Sequence, residues 1–164
     1  MIHVHRNGSL TEVACGTSAL EEAIKLQTAI VDLAPHSWEM QASLANLYYY
    51  AGENAPAEAY AQKAVTLNPL SASSQKLLGR ILVQVGRGEE GLPHLHLALA
   101  LAPQDGECWY KTGSVYFEQG HLERAALCFR TAGALRNDSL SYLRYAFASG
   151  CLFALFKRMC FICT

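Results

Sequence analysis

The stretch WYKTGSVYF, residues 109–117, places a tryptophan, a glycine and a tyrosine on one side of a helix. Trp109, Gly113 and Tyr116 are separated by four and then three residues, which is the spacing of neighbours on one helical face. Glycine is among the poorest helix formers, so its position between two large aromatic residues needs a physical reason. The spacing predicts that another part of the chain approaches the backbone closely at Gly113.

Several residue types around this stretch recur with a period of 34 residues. The recurring residues are Pro35, Pro69 and Pro103; Gly52, Gly86 and Gly120; and Ala64, Ala98 and Ala132. Between them, apolar residues return every three or four positions, which predicts two helices of roughly 12–14 residues in each unit. We expect the glycines to end the first helix in a left-handed conformation and the prolines to follow the second helix.

The repeating unit resembles the tetratricopeptide repeat, a helix–turn–helix with Trp, Leu, Gly and Tyr on its first helix and Ala, Phe and Ala on its second, followed by Pro. The best copy contains Trp109, Thr112, Gly113, Tyr116, Ala125, Phe129, Ala132 and Asn137, with Thr112 in place of Leu and Asn137 in place of Pro. The copy before it contains Gln75, Leu78, Gly79, Leu82, Gly91, Leu95, Ala98 and Pro103, and the first contains Gln41, Leu44, Ala45, Tyr48, Ala57, Ala61, Ala64 and Pro69. The resemblance covers residues 37–138, and a helix from about Thr17 to Leu33 resembles half of an earlier copy.

The resemblance implies an all-α fold, a right-handed superhelix (α-solenoid) of antiparallel helix pairs. We expect an irregular segment over residues 1–16, the repeat domain over 17–138 and an apolar helix or tail over 139–164. Small residues should face each other where the two helices of a unit cross, in the pairs Ala45 with Ala57, Gly79 with Gly91, and Gly113 with Ala125. Two prolines fall in second helices: Pro56 fits the first turn, whereas Pro93 predicts a helix that starts late or kinks.

The first helices of the units line the inner face of such a superhelix, so they predict a groove for a peptide or helical segment of another protein. The candidate groove residues are Glu39, Asn46, Tyr49, Tyr50, Lys76, Arg80, Gln84, Tyr110, Ser114 and Phe117. Tyrosine and arginine often dominate binding energy at interfaces. Lys76 and Arg80, one turn apart, could attract an acidic segment. The predicted function is a non-catalytic interaction module or scaffold.

A carboxylate clamp, which some tetratricopeptide co-chaperones use to bind the C-terminus of heat-shock chaperones, does not fit this sequence. In the family the clamp uses Lys, Asn, Asn, Lys and Arg, and the corresponding positions here are Ala42, Asn46, Leu77, Glu107 and Lys111. Only Asn46 matches, Lys111 is a partial substitute for the arginine, and Glu107 would repel a carboxylate. We therefore do not expect this chain to bind that partner.

Composition and motifs argue against nucleic-acid binding, metal binding and catalysis. The net charge of −1 lacks the basic excess that drives nucleic-acid binding. No phosphate-binding glycine loop, nucleophile elbow or paired-carboxylate arrangement for catalysis is present, so we expect neither an enzyme nor a cofactor. His94 and His96 would point roughly 200° apart on a helix, and His3 and His5 could bind one ion in an extended segment but have no third ligand. The single Cys160-x-x-Cys163 lacks a second ligand pair. We therefore expect no metal at the candidate pairs His3 and His5, His94 and His96, and Cys160 and Cys163.

The segment after Asp138 is apolar, with three basic residues and no acidic one. Three interpretations stay open: a helix that packs against another chain, a membrane anchor shorter than the roughly 20 residues needed to span a bilayer, and the ending of a shortened isoform. The N-terminal residues lack a secretory signal, so a cytoplasmic location with reduced thiols is expected. A small secretion or assembly chaperone that holds a client segment, and a membrane-associated or oligomeric subunit that uses the tail, are the alternative functions.

Overall fold

A computed structural model describes residues 8–137, 143–145 and 150, with side chains from residue 19 onward. The predictions for His3, His5, Cys160 and Cys163, and those for the tail over 139–164 apart from residues 143–145 and 150, lie outside the described residues. The described part contains seven helices: α1 (Gly8–Leu33), α2 (Trp38–Ala51), α3 (Asn54–Leu67), α4 (Ala72–Gln84), α5 (Gly88–Leu101), α6 (Gly106–Glu118) and α7 (Leu122–Arg136).

The helices belong to two compact units, one ending at Pro69 and the other beginning at Leu70. In unit 1, α2 packs against both α1 and α3. In unit 2, α4 pairs with α5 and α6 pairs with α7, and both α4 and α5 contact α6. The all-α fold of stacked antiparallel helix pairs that the sequence predicts is confirmed.

Helix ends follow the repeat. Gly52, Gly86 and Gly120 come after α2, α4 and α6 with positive φ values of 80°, 80° and 78°. An L side chain is strained in this conformation, which confirms the role predicted for these glycines. The helices α1, α3 and α5 end two residues before a proline, at Leu33, Leu67 and Leu101, again as predicted.

The starts of the first helices carry a capping signal that also has the 34-residue period. Ser37, Ser71 and Asp105 are the N-cap residues of α2, α4 and α6. Each side chain accepts a hydrogen bond from the backbone N–H three residues later, which satisfies a donor that the helix itself leaves unpaired. The helices therefore begin where a side-chain oxygen is available.

The carbonyls of Pro35 and Pro103 each accept a hydrogen bond from a side chain of the helix that follows. Trp109 Nε1 donates to the carbonyl oxygen of Pro103 at 2.9 Å. Gln41, at the equivalent position of the first copy, donates from Nε2 to the carbonyl oxygen of Pro35, also at 2.9 Å. Glutamine can therefore take the tryptophan position of the repeat because both side chains supply an N–H donor.

Two features of the helices differ from the expectations. α1 begins at Gly8 rather than near Thr17, so much of the segment expected to be irregular is helical. It runs through Gly16, since a single interior glycine costs only about 1 kcal/mol. α5 begins at Gly88 and contains Pro93, so the late start is wrong, and the alternative, a kink, stays a prediction. Pro93 has no N–H to donate to the carbonyl oxygen of Glu89, and Glu89 is an exposed residue.

The predicted close crossing of α4 and α5 is confirmed at Gly79 and Gly91. A Cβ atom added at Gly91 would lie 2.9 Å from the carbonyl oxygen of Gly79. A Cβ atom added at Gly79 would lie 2.7 Å from Cγ of Leu95. Both distances are shorter than a normal contact, so the two backbones meet here because neither residue has a side chain.

The crossing of α6 and α7 differs in detail from the prediction. A Cβ atom added at Gly113 would lie 2.9 Å from Cδ1 of Phe129 and 3.1 Å from Cβ of Cys128. These atoms, rather than Ala125, are the nearest neighbours of Gly113, because the fully buried ring of Phe129 fills the space above the glycine. The stretch 109–117 therefore has glycine at position 113 because a side chain there would clash with the ring of Phe129.

Candidate functional site

The predicted groove residues of unit 2 include an ion network that joins α4 to α6. Lys76 Nζ lies 2.7 Å from Oδ2 of Asp105 and 3.5 Å from Oε2 of Glu107. Arg80 Nε lies 3.2 Å from Oε1 of Glu107, and only 11% of the Arg80 side chain is exposed. Two cations on α4 are thus balanced by two carboxylates on or next to α6. We call this surface, with Gln84 and Ser114, the α4–α6 face.

The network shifts the pKa values of its members in opposite directions. Burial by itself would lower the pKa of Lys76, but the hydrogen bond to Asp105 and the charges of Asp105 and Glu107 raise it above its ordinary value. Burial would raise the pKa of Asp105, but the hydrogen bonds from Lys76 and from the backbone N–H of Cys108 lower it. Both groups therefore stay charged over the physiological pH range.

The predicted groove residues of α6 are partly buried. Ser114 Oγ donates to the carbonyl oxygen of Tyr110 at 3.1 Å. The guanidinium carbons of Arg136 and Arg144 lie 5.8 and 5.3 Å from the centre of the Tyr110 ring. Tyr110 and Phe117 also pack against a buried cluster that consists of Ala125, Ala126 and Phe129. These two rings belong to the packing of α6 on α7, and only part of each is accessible.

The predicted groove residues of unit 1 lie on one helix, and we call Glu39, Asn46, Tyr49 and Tyr50 the α2 face. The rings of Tyr49 and Tyr50 meet edge to face, with centroids 5.6 Å apart and planes at 75°. Tyr50 is 64% exposed. Glu39 is exposed and accepts a hydrogen bond from Ser37 Oγ at 2.9 Å. The α2 face therefore presents aromatic, amide and carboxylate groups to solvent.

Sequence reasoning missed Asp105 as a member of the site. It considered Glu107 only as a group that repels a carboxylate, not as a partner of Lys76 and Arg80. Asp105 could have been found from the 34-residue period of the N-cap residues Ser37, Ser71 and Asp105. An acidic residue at the N-cap of α6 lies next to the groove residues at the start of that helix. The ion pairs themselves join residues about one repeat apart, which no local pattern reveals.

The two histidines of α5 bind different helices. His94 Nδ1 lies 2.7 Å from Oε1 of Gln75 on α4, and burial lowers the pKa of His94. His96 Nε2 lies 3.0 Å from the hydroxyl of Tyr116 on α6. The two imidazoles point in different directions, as their spacing predicts, and each serves a contact between helices.

The two cysteines described with their side chains, Cys108 and Cys128, are both buried. Burial, together with the charge of Asp105, raises the pKa of Cys108 to about 12. Burial raises the pKa of Cys128 to about 11. Both thiols are therefore protonated at neutral pH and unsuited to act as nucleophiles.

No helix within the described residues is long and apolar enough to cross a membrane. A sequence model of the tetratricopeptide repeat matches residues 42–106 and again residues 76–139. Tetratricopeptide repeat protein 37 of Xenopus laevis is 34% identical over 71 residues, a match that covers 43% of this chain and 4% of that protein.

Solved structures of repeat proteins resemble the fold of this chain. The crystal structure of MamA superposes with a TM-score of 0.74 at 20% identity, covering 90% of this chain and 84% of MamA. YrrB, described as a TPR protein with an unusual peptide-binding site, superposes with a TM-score of 0.69 at 18% identity, covering 84% of this chain and 71% of YrrB. At these identities the likeness shows the fold alone, but the two overlapping matches to the repeat model span more than half of the sequence. The chain belongs to the tetratricopeptide repeat family.

Proposed function

We propose that this chain is a non-catalytic interaction module that holds a segment of a partner protein on its α4–α6 face. Tetratricopeptide domains are typically protein–protein interaction modules and are generally not catalytic. The observation that carries the proposal is the ion network, which holds the side chains of Lys76, Arg80 and Glu107 in place. A surface whose long side chains are already ordered loses less conformational entropy when it binds.

The balance of positive and negative charges on the α4–α6 face limits the kind of partner segment that can bind there. Two positive and two negative side chains offset one another, so a purely acidic segment would have to compete with Asp105 and Glu107 for the cations. A polar segment with mixed charges can instead bind the outer atoms of the network without breaking it. Gln84, which is exposed, and Ser114, which is half-buried, lie on the same two helices and offer further polar contacts.

The test is affinity selection with the full chain as bait and a library of random dodecapeptides. We expect enriched peptides whose affinity, measured by isothermal titration calorimetry, falls about tenfold or more in Ser114→Arg, equivalent to about 1.4 kcal/mol. Arginine at this position would obstruct the face without removing a member of the ion network. Arg130→Ala, an exposed change on α7, is the matched control and should leave the affinity unchanged.

Failure has two forms that the same measurements reveal. A library that yields no binder, or binders whose affinity is equal in the wild type and in Ser114→Arg, would contradict the proposal. A thermal melt of each variant shows whether a loss of affinity reflects a blocked surface or an unfolded chain. Only a loss of affinity with an unchanged melting temperature supports the α4–α6 face.

A further inference from the structure

We infer that the α2 face binds a basic segment of a partner, specifically an extended segment with two arginines about five residues apart. This inference rests on the proposed function as an interaction module and adds the chemistry of a partner for unit 1. It is carried by the charge of unit 1, by the exposed ring of Tyr50 and by the spacing of the polar groups along α2.

The charge of the described residues differs between the two units. Residues 19–69 contain six acidic and two basic residues, a net charge of −4. Residues 70–137 together with 143–145 contain six acidic and eight basic residues, a net charge of +2. α2 contains no lysine or arginine, and acids stand at both of its ends, Glu39 in its first turn and Glu53 just after it. The local field around α2 therefore attracts cations.

Tyr50 supplies a surface suited to arginine in particular. Its ring is 64% exposed and is held edge to face by Tyr49, so the ring is already oriented. A guanidinium stacks on an aromatic face and can donate hydrogen bonds to a carboxylate at the same time. A cation over a tyrosine ring is already present within α3, where the ammonium nitrogen of Lys63 lies 4.9 Å from the centre of the Tyr60 ring.

The spacing of groups on α2 sets the separation of the two basic residues. Glu39 and Tyr50 are eleven positions apart, which corresponds to about 16 Å along a helix. An extended chain covers about 3.3 Å per residue, so five residues span the same distance. Asn46 lies between the two ends, and its amide can both donate to and accept from the backbone of an extended segment. One arginine would lie on Tyr50 near Glu53 and the other at Glu39.

The experiment uses an acetylated, amidated peptide with arginines five residues apart in a glycine–serine background. Binding to the full chain is followed by isothermal titration calorimetry and by ¹⁵N–¹H correlation spectra. We expect shifts of the Asn46, Tyr49 and Tyr50 amides. Affinity should drop about tenfold when both arginines are replaced by citrulline, which keeps the shape but removes the charge. A peptide with the two arginines adjacent should bind more weakly, which separates spacing from net charge.

Variants of the chain assign the binding to named groups. Tyr50→Ala should weaken binding about tenfold, whereas Tyr50→Phe keeps the ring and should retain it. Glu39→Gln should weaken binding several-fold, and Glu89→Gln, an exposed acid in unit 2 with the same change of charge, is the matched control. Equal affinity of the arginine and citrulline peptides, shifts outside α2, or full binding by Tyr50→Ala would each overturn the inference.

The result is independent of the test of the α4–α6 face. If random peptides bind in a manner sensitive to Ser114→Arg but the arginine peptide does not bind α2, this inference fails and the proposed function stands. If neither probe binds, the proposed function fails with it. Tyr50 is exposed and Glu39 lies on the helix surface, so we expect both kinds of variant to fold, which a thermal melt checks.

Discussion

Individual polar residues take apolar positions of the repeat where a hydrogen bond satisfies them. Thr112 occupies the leucine position and is only 1% exposed, but its hydroxyl donates to the carbonyl of Cys108 at 2.9 Å. Gln41 occupies the tryptophan position, and its Nε2 donates to Pro35. Its buried Oε1 has no hydrogen-bond partner among the described residues, so this substitution is only half satisfied. The sequence alone shows that Thr112 and Gln41 replace the leucine and tryptophan of the repeat, but it does not show the hydrogen bonds that each of them makes.

Gly91→Ala tests the close crossing of α4 and α5. The new methyl group would meet the carbonyl oxygen of Gly79, a backbone atom that cannot rotate away. We expect a loss of about 1–3 kcal/mol in the free energy of unfolding, larger than the gain in helix propensity. Urea denaturation measures it, with the exposed Ala100→Ser on the same helix as the control. Equal stability of Gly91→Ala and the wild type would show that the helices do not meet at this point.

Cys108 and Cys128 should be unreactive in the folded chain. Their pKa values of about 12 and about 11 leave almost no thiolate at pH 8, and both side chains are buried. We expect iodoacetamide to leave both unmodified under native conditions and to modify both in guanidinium chloride. Peptide mass spectrometry reads each site separately. Native modification of either thiol at the rate seen in denaturant would contradict its burial.

At the scale of helices, side chains of α5 form hydrogen bonds with both α4 and α6. His94 bonds to Gln75 on α4, and His96 bonds to Tyr116 on α6. The sequence predicted that these histidines point apart, since that follows from helical geometry alone. It did not predict their partners, because Gln75 and Tyr116 lie on other helices and about half a repeat away in sequence.

His94 should make stability fall in mildly acidic solution. Burial holds its pKa below the ordinary value of 6.5, so as pH falls the unfolded chain binds this proton before the folded chain does. The free energy of unfolding should therefore decrease as pH falls through about 6.5 and stop decreasing, for this group, below the folded pKa. His94→Gln should flatten that part of the pH profile measured by urea denaturation. An unchanged slope in His94→Gln would exclude His94 as its source.

Asp105→Asn tests the ion network while it keeps the cap of α6, since asparagine also caps helices. The lowered pKa of Asp105 means that its stabilisation is present above about pH 4 and is lost as pH falls through the folded pKa. The raised pKa of Lys76 means that its share is present below about pH 10 and is lost at higher pH. We expect a difference of about 1 kcal/mol or less between these limits, because both side chains are about one-quarter exposed.

Urea denaturation of the wild type and Asp105→Asn across pH supplies the measurement. The gap between the two should be widest near neutral pH and should narrow at both extremes. The comparison variant is Glu90→Gln, which breaks the exposed ion pair of Arg87 and Glu90, whose nitrogen and oxygen lie 2.6 Å apart. A gap that stays constant from pH 3 to pH 11 would mean that the effect of Asp105→Asn is not electrostatic.

At the scale of the whole molecule, the two units have different cores. Among the residues described with their side chains, the largest fully buried ones are Leu44 in unit 1 and, in unit 2, Phe129, Leu78, Ile81, Leu95, Val115, Thr112, Cys108 and Ser74. The buried positions of α3 are mostly alanine, namely Ala57, Ala61 and Ala64, with Val65. Smaller buried side chains remove less apolar surface from water, so the described part of unit 1 gains less hydrophobic stabilisation than that of unit 2.

Hydrogen exchange should therefore differ between the units. We expect the amides of α2 and α3 to exchange faster than those of α4 to α7, because local opening of unit 1 exposes less apolar surface. Mass spectrometry of peptic fragments, with exchange from seconds to hours, measures both units in one sample. Equal protection of all six helices, or better protection of α2 and α3, would contradict this interpretation of the cores.

The sequence by itself determined the repeated helices, the glycines that end the first helices and the family, because these depend on spacing along the chain: an apolar period, a glycine that tolerates positive φ, and a proline after α1, α3 and α5. Only the tertiary structure decided which groups meet. Lys76 and Arg80 looked like free cations for an acidic partner until the fold brought Asp105 and Glu107 against them from the next repeat. Charge pairing and ring packing depend on distances between helices, which the order of residues does not encode locally.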